Sequence, residues 1–489
     1  MCIRDRAVER LVDDKGPAGN REELRAALLA LLDDPIERVR VAAITVLGRL
    51  SADGEPDAAA VRARLATGLV DASSAVRERA VEVLVSGGQR AIPQVLEQLD
   101  SADLTLRQMA AAVLARIAPR KYAPLVRGSI LNGSLQAIYR DLSCVQALSG
   151  CSGPALAVLG RVLRERNASR LDHVFYLLET IQDAAAIETI AHSLRSPQPQ
   201  VRANATEALE SVSGPQTAAL IGPLFEPELP SEQLLLLAKQ AWDLSVATPA
   251  AAMRLLLSDA GDAWQRSLAA AALVELRASM HPACEGETAE LLSLARADPD
   301  AGVRREVGVA AAVAASAGGM GTEEESMLSD IDKVILLKAV PFFQGMSIEQ
   351  LRVLAHVCEE EFFPAETRLF NQGDPGGVLY VVVSGRVGIE QEKRKGSFAR
   401  LATVEAHSYL GEADFFDDNL RTNSAIAIQD TLTLRLRREP LIALARQYPE
   451  LSLELINVLS VRLREANNRI AELTRTHPRE LHKLFDQLT

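Results

Sequence analysis

The chain has 489 residues, 48% of them hydrophobic and 24% charged, with a formal net charge of −12. That length is too great for one compact core, and the composition excludes wholesale disorder and a polytopic membrane protein. The acidity argues against nucleic acid as a partner, because such proteins carry a basic face; dividing the chain near residue 317 leaves about −6 on each side.

The five cysteines, Cys2, Cys144, Cys151, Cys284 and Cys358, form no C-x-x-C pair. Neither a disulfide framework nor a zinc site is expected, and free thiols in a reducing cytoplasm are. The sequons at Asn132, Asn167 and Asn204 follow no secretory signal and read as chance matches. The uncharged stretch Val307 to Thr322 is short and rich in Ala and Gly, and no membrane span is expected in this chain. The opening Met1-Cys-Ile-Arg-Asp-Arg6 looks like an adapter-derived start, and an upstream portion, such as a membrane domain, is expected to be missing.

In chain order, residues 1–315 are rich in Ala and Leu and repeat one pattern. It runs Asp33-Asp-Pro-Ile-Glu-Arg-Val-Arg-Val-Ala42, Asp71-Ala-Ser-Ser-Ala-Val-Arg-Glu-Arg-Ala80, Ser196-Pro-Gln-Pro-Gln-Val-Arg-Ala-Asn-Ala205 and Asp298-Pro-Asp-Ala-Gly-Val-Arg-Arg-Glu-Val307. Asp33 or Asp34 is placed to cap a helix with Pro35 in its first turn. Val39, Ala42, Ala43, Val46 and Leu47 then share a face that only a neighbouring unit can cover. The pattern resembles the HEAT repeat. Its arginines, Arg40, Arg77, Arg107, Arg202 and Arg304, fit roughly eight or nine units, with poor matches at 120–190 and 215–290, where Trp264-Gln-Arg-Ser keeps only its Arg. A cation early in a helix opposes the macrodipole, so each arginine needs a carboxylate from its own or the next turn. The resemblance implies such an Asp–Arg ladder.

Residues 316–328, Gly-rich and acidic, read as a linker. Nine of the eleven phenylalanines lie beyond residue 340, marking a change of fold. Ser347-Ile-Glu-Gln350 reads as a capping box opening a helix from Ile348 to Cys358. Strands are expected at 378–383, 387–389, 399–404, 424–428 and 432–436, bounded by Gly, Asp and Asn turns, and a double-sheet jelly roll follows from them. An amphipathic helix is expected from about Pro449 to Leu473, with Leu455, Leu459, Leu463, Ile470 and Leu473 on one face. The expected organisation is a HEAT-like α-solenoid at 1–315, the linker, a jelly-roll domain with flanking helices at 329–475, and a tail at 476–489.

The segments Pro341-Phe-Phe-Gln-Gly-Met-Ser-Ile-Glu-Gln-Leu351, Asn371-Gln-Gly-Asp-Pro-Gly-Gly-Val-Leu-Tyr380, Gly411-Glu412, Arg421-Thr422 and Leu459-Ser-Val-Arg-Leu-Arg-Glu465 resemble successive landmarks of the cyclic-nucleotide-binding domain. The resemblance implies that amides from Gly411, Glu412 and Ala413 and the Arg421 guanidinium hold a cyclic phosphate. It implies that Glu412 takes a ribose hydroxyl and that Thr422 touches phosphate or guanine. Helix-start amides plus a guanidinium do make an anion site. Asp414 departs from the family's small residue at that position and would repel an anion or neutralise Arg421. Asn423 replaces a usual Ala, and His407 and Glu366 stand at usual turn glycines. His407 and His356 have no partner at ligand spacing, so no metal is expected.

No P-loop, H-E-x-x-H, G-x-S-x-G or dinucleotide fingerprint occurs, so a non-enzyme is expected. The leading expectation is a cytoplasmic regulatory or adaptor protein that senses cAMP or cGMP through the jelly roll, with helix 449–473 as lid, and engages a protein partner through the helical array. The alternatives are a structural scaffold with a degenerate pocket and the cytoplasmic regulatory part of a truncated membrane transporter-like protein. A helix-turn-helix regulator is disfavoured because only a short tail follows the last helix.

Overall fold

The computed structural model describes residues 18–447, apart from 51–57, 72, 102, 247, 259–261, 280–284, 317–327, 341–342, 395–396, 413 and 416–418, together with eight positions between 452 and 468. The chain divides into two compact units, residues 1–147 with 163–252 and residues 148–162 with 253–489. The first unit is helical among its described residues. The second carries helices and all the described strands.

In the first unit four of the five residues expected on the buried face, Val39, Ala43, Val46 and Leu47, are buried, while Ala42 is half-buried. Asp34 accepts the Ile36 amide at 2.8 Å, and the helix Glu37–Leu50 buries Val39, Ala43, Ile44, Val46 and Leu47. That helix packs on Ser74–Ser86, which packs in turn on Leu104–Ile117. The shared core is continuous from Leu28 through Leu47, Leu84 and Leu114 to Ile221. Each such side chain contributes about 1.5–3 kcal/mol when removed from water.

The arginines repeat one geometry. Arg40 donates from Nη1 to the Asp34 carbonyl at 2.8 Å and, from Nε and Nη2, to both Asp71 oxygens at 2.9 and 2.8 Å. Arg77, Arg107 and Arg202 make the same bond to the carbonyl six residues back, and Arg202 adds a bidentate pair with Glu226. In the second unit Arg304 repeats the carbonyl bond, and Arg266, the arginine of the degraded motif, holds Asp298 at 2.9 and 3.3 Å. Carbonyls and a planar carboxylate together satisfy a charge that the helix start disfavours.

The second unit holds two four-stranded antiparallel sheets. Strands β1 (Glu359–Phe363), β8 (Thr431–Arg437), β3 (Val378–Ser384) and β6 (Tyr409–Leu410) form one in that order. Strands β2 (Arg368–Phe370), β7 (Ser424–Ala427), β4 (Arg386–Arg394) and β5 (Ser397–Glu405) form the other. Leu369, Tyr380, Val382, Val387, Leu410, Ala425 and Ala427 fill the space between them. Four of the five expected strands are present with ends shifted by one or two residues, and the one expected at 387–389 runs on to Arg394; β1, β2 and β6 are additional. The Ser347 capping box forms, but its helix ends at Ala355 rather than Cys358, because the chain tightens through Val357 and turns into β1. Most of the expected linker, and most of the expected helix 449–473, lie outside the described residues; the eight described positions of the latter are helical. No described helix is long and apolar enough to cross a membrane.

Before the sheets, Ser329 caps the helix Asp330–Ala339 in a second capping box closed by Asp332. Glu306, on the helix Ala301–Ser316, meets this cap. Burial pushes its carboxyl up to about 7; a hydrogen bond with Ser329 and the Arg305 charge lower it, while Asp332 and Asp330 raise it. Asp330 also lies 3.6 Å from His356 Nε2. A carboxyl held above its unfolded value of 4.5 contributes stability below that value and loses it as pH rises through about 7. Glu306→Gln, which keeps the protonated shape, is therefore expected to raise the thermal midpoint at pH 8 and to match the parent at pH 5. Equal midpoints at pH 8 would show that Glu306 is relieved by solvent.

Candidate functional site

Four segments of the jelly roll converge on Arg421. The residue is 3% exposed. Its Nη2 donates to the Val378 carbonyl at the start of β3, at 2.6 Å, and its Nη1 to the Gly411 carbonyl just after β6, at 3.2 Å. Its main chain pairs with the preceding loop, the amide donating to Asp374 O at 2.8 Å and the carbonyl accepting from Gly373 N at 2.9 Å. The guanidinium carbon sits 4.2 Å from the centre of the Phe370 ring, on β2, and that ring stacks on Tyr380. A cation over an aromatic face gains most where water is excluded.

Two glycines make this approach feasible. Gly411 has φ of +88°, and a Cβ there would lie 2.6 Å from Arg421 Nη1 and 2.7 Å from the Val378 carbonyl. A Cβ on Gly376 would lie 2.4 Å from the Asp414 carbonyl, whose segment is fastened by the Gly377 amide at 2.9 Å. Only glycine tolerates such a conformation and such proximity.

The electrostatics are lopsided. Burial draws the Arg421 guanidinium below the usual arginine range, and the charges of Tyr380, Asp414, Asp374 and Glu412 pull it back. Asp374 accepts the Asn371 amide at 2.7 Å, Glu412 is exposed, and Asp414 is 6% exposed. Arg421 Nε is buried and, among the described residues, has no hydrogen-bond partner. A buried donor without an acceptor is costly, and a ligand anion is one way to satisfy it. Of the residues expected at the site, Gly411 and Arg421 touch. Glu412 reaches Arg421 through its field, and Thr422 is exposed, its hydroxyl accepting from Asn423 Nδ2 at 3.3 Å. Ala413 lies outside the described residues. Phe370, Tyr380 and Asp374 join the site without having been expected there. No group of three or more potential metal ligands occurs among the described residues.

A family model described as the cyclic nucleotide-binding domain matches residues 360–448, the segment that holds every one of these groups. Residues 360–448 form a cyclic nucleotide-binding domain. The "Cyclic AMP receptor protein" of Thermus thermophilus is 34% identical over 131 residues, covering 27% of this chain and 61% of its own. The "CRP-like cAMP-activated global transcriptional regulator" of Mycobacterium tuberculosis is 31% identical over 138 residues, covering 28% and 62%. The chain thus spans about three-fifths of the length of these curated relatives. Among solved structures, the N-terminal domain of a transcriptional regulator from Streptomyces coelicolor A3(2) is 30% identical, covers 27% of this chain and 95% of its own, and has a TM-score of 0.26.

Within the cyclic nucleotide-binding domain the two substituted turns keep glycine-like geometry. Glu366 and His407 have φ of 64° and 63°, at a cost of roughly 1–2 kcal/mol each for a side chain in that region. Their amides are held by Ala427 O and Val382 O at 2.8 Å. Gly411 leaves no such latitude, since its missing side chain is the space that Arg421 fills. Gly411→Ala is expected to lower the unfolding free energy of the domain by about 1–3 kcal/mol in urea titrations. An unchanged midpoint would show that the guanidinium can withdraw without loss.

Proposed function

We propose that this chain is a non-enzymatic regulatory protein whose jelly roll senses cAMP or cGMP, with the cyclic phosphate received by Arg421 and the turn at Gly411. The observation that carries this reading is the buried Arg421 Nε, which no acceptor among the described residues satisfies, beside a glycine turn that admits the guanidinium. A phosphodiester oxygen is the acceptor that completes it. In this reading Glu412, exposed and one residue further on, accepts a ribose hydroxyl, and the exposed Thr422 meets phosphate or base. The likeness to cAMP-responsive proteins over this domain supports the ligand class.

The helical region serves protein interaction in this reading, as a HEAT-like array. The recurrent arginine clamp, from the carbonyl six residues back to a carboxylate 24 to 32 residues ahead, supports the repeat assignment. A scaffold with no ligand is the second reading. It is favoured by Arg421 already having two carbonyl partners and by the carboxylates around it.

Calorimetric titration of the full chain with cAMP and with cGMP separates the two. Saturable binding is expected, weakened roughly 10- to 100-fold by Arg421→Lys, which keeps the charge but not the fork of donors. No heat with either nucleotide, from protein with native circular dichroism, would leave Arg421 as a structural tie and the scaffold as the function.

A further inference from the structure

Asp414 is a carboxylate beside Arg421 that pairs with no described side chain. It is 6% exposed, and its main-chain carbonyl is bonded to Gly377 N. Among the described residues, its side-chain oxygens accept no hydrogen bond and enter no ion pair. Buried carboxylates ordinarily collect amides or a guanidinium. Arg421 is near enough for Asp414's charge to act on it, yet its two terminal nitrogens are directed to the carbonyls of Val378 and Gly411.

The other charges facing Arg421 are better accommodated. Asp374 is anchored by the Asn371 amide and side chain, and Glu412 is in solvent, where its field is screened. Three carboxylates therefore act on one guanidinium, and Asp414 is the most buried of the three residues and has no partner among the described residues. An anion received by Arg421 must enter against that fixed charge.

We propose that Asp414 is an electrostatic brake on the nucleotide site, opposing the cyclic phosphate and thereby setting the ligand concentration at which the domain fills. The inference rests on the reading of Arg421 as the phosphate receptor. It assigns Asp414 a role in affinity that depends on charge and not on shape. The isosteric Asp414→Asn removes the charge and keeps the volume, and Asp414→Ser removes both.

The test is a cycle of ligand charge against residue charge on the full chain. Affinities for cAMP and for its uncharged methyl phosphotriester are measured for the parent, Asp414→Asn and Asp414→Ser, at low and at high salt. Both substitutions are expected to tighten cAMP by about tenfold at low salt and by less at high salt. Binding of the triester is expected to change by no more than about twofold, because the phosphate charge that Asp414 opposes is absent. Unchanged or weaker cAMP binding in both variants, beside clear binding by the parent, would overturn the brake and leave the sensor reading standing. Equal gains for cAMP and triester would overturn it too, showing that Asp414 acts through shape. If parent and variants all fail to bind cAMP and cGMP while folded, the sensor reading falls and the brake falls with it.

Discussion

The Arg421 guanidinium, donating to the carbonyls of Val378 and Gly411, is the contact on which the rest of the domain's geometry depends. A buried cation must be compensated where it lies, and here the compensation is main chain from two places in one sheet, an aromatic face from the other, and the field of nearby carboxylates. Because Arg421's own amide and carbonyl fasten the Gly373–Asp374 turn, one residue sets the spacing of the loops that enclose the site. In the proposed reading, stability and ligand reception draw on the same atoms. Any anion that takes the free Nε also changes the balance between the two carbonyl bonds and the loops they hold.

The helical units solve a related problem by repetition. An arginine in the first turn of a helix is uncomfortable alone, but the preceding loop's carbonyl and a carboxylate further along the chain, as Asp71 is for Arg40, tie successive segments together. Where the motif disappears from the sequence, a different arrangement takes over. Asp141, fully buried, is bonded by Arg166 at 2.9 and 2.8 Å and by Arg170. There the carboxylate is the buried partner; its two hydrogen-bonding arginines come from the neighbouring helix Pro154–Glu179, and Arg140 of its own helix stands 3.7 Å away. The charge pairing persists while its polarity with respect to burial is reversed, which is why no pattern of early-helix arginines marks this stretch.

What could be read from the sequence follows from how far each signal extends. The helices of the first unit, the Ser347 capping box and strands β3, β4, β5, β7 and β8 all leave periodic or paired marks several residues long. Strand β1, Glu-Glu-Glu-Phe-Phe, has no alternation of apolar and polar residues because its burial is only partial along its length. Strands β2 and β6 have three and two residues, too few for any period to show. At the site, Gly411 and Arg421 were legible as a spaced motif. Phe370 and Tyr380 were not, since an aromatic in a strand of the core carries no sign that a cation lies over it.

Asp414 shows where such legibility ends. Its identity is in the sequence, and so is its unusual place between Gly411 and Arg421. Two opposite consequences follow from identity alone: a carboxylate bonded to Arg421 would cancel the receptor, while one standing apart would only oppose the ligand. Burial, and the absence of an ion pair between the two among the described residues, select the second. A fixed charge that stands apart from Arg421 modulates a site without abolishing it, because its field adds to the binding free energy but leaves the donors of Arg421 in position. The same three residues can therefore make a receptor, a lock or a tuned receptor, and the difference lies in a few ångströms of side-chain placement that only the folded chain determines.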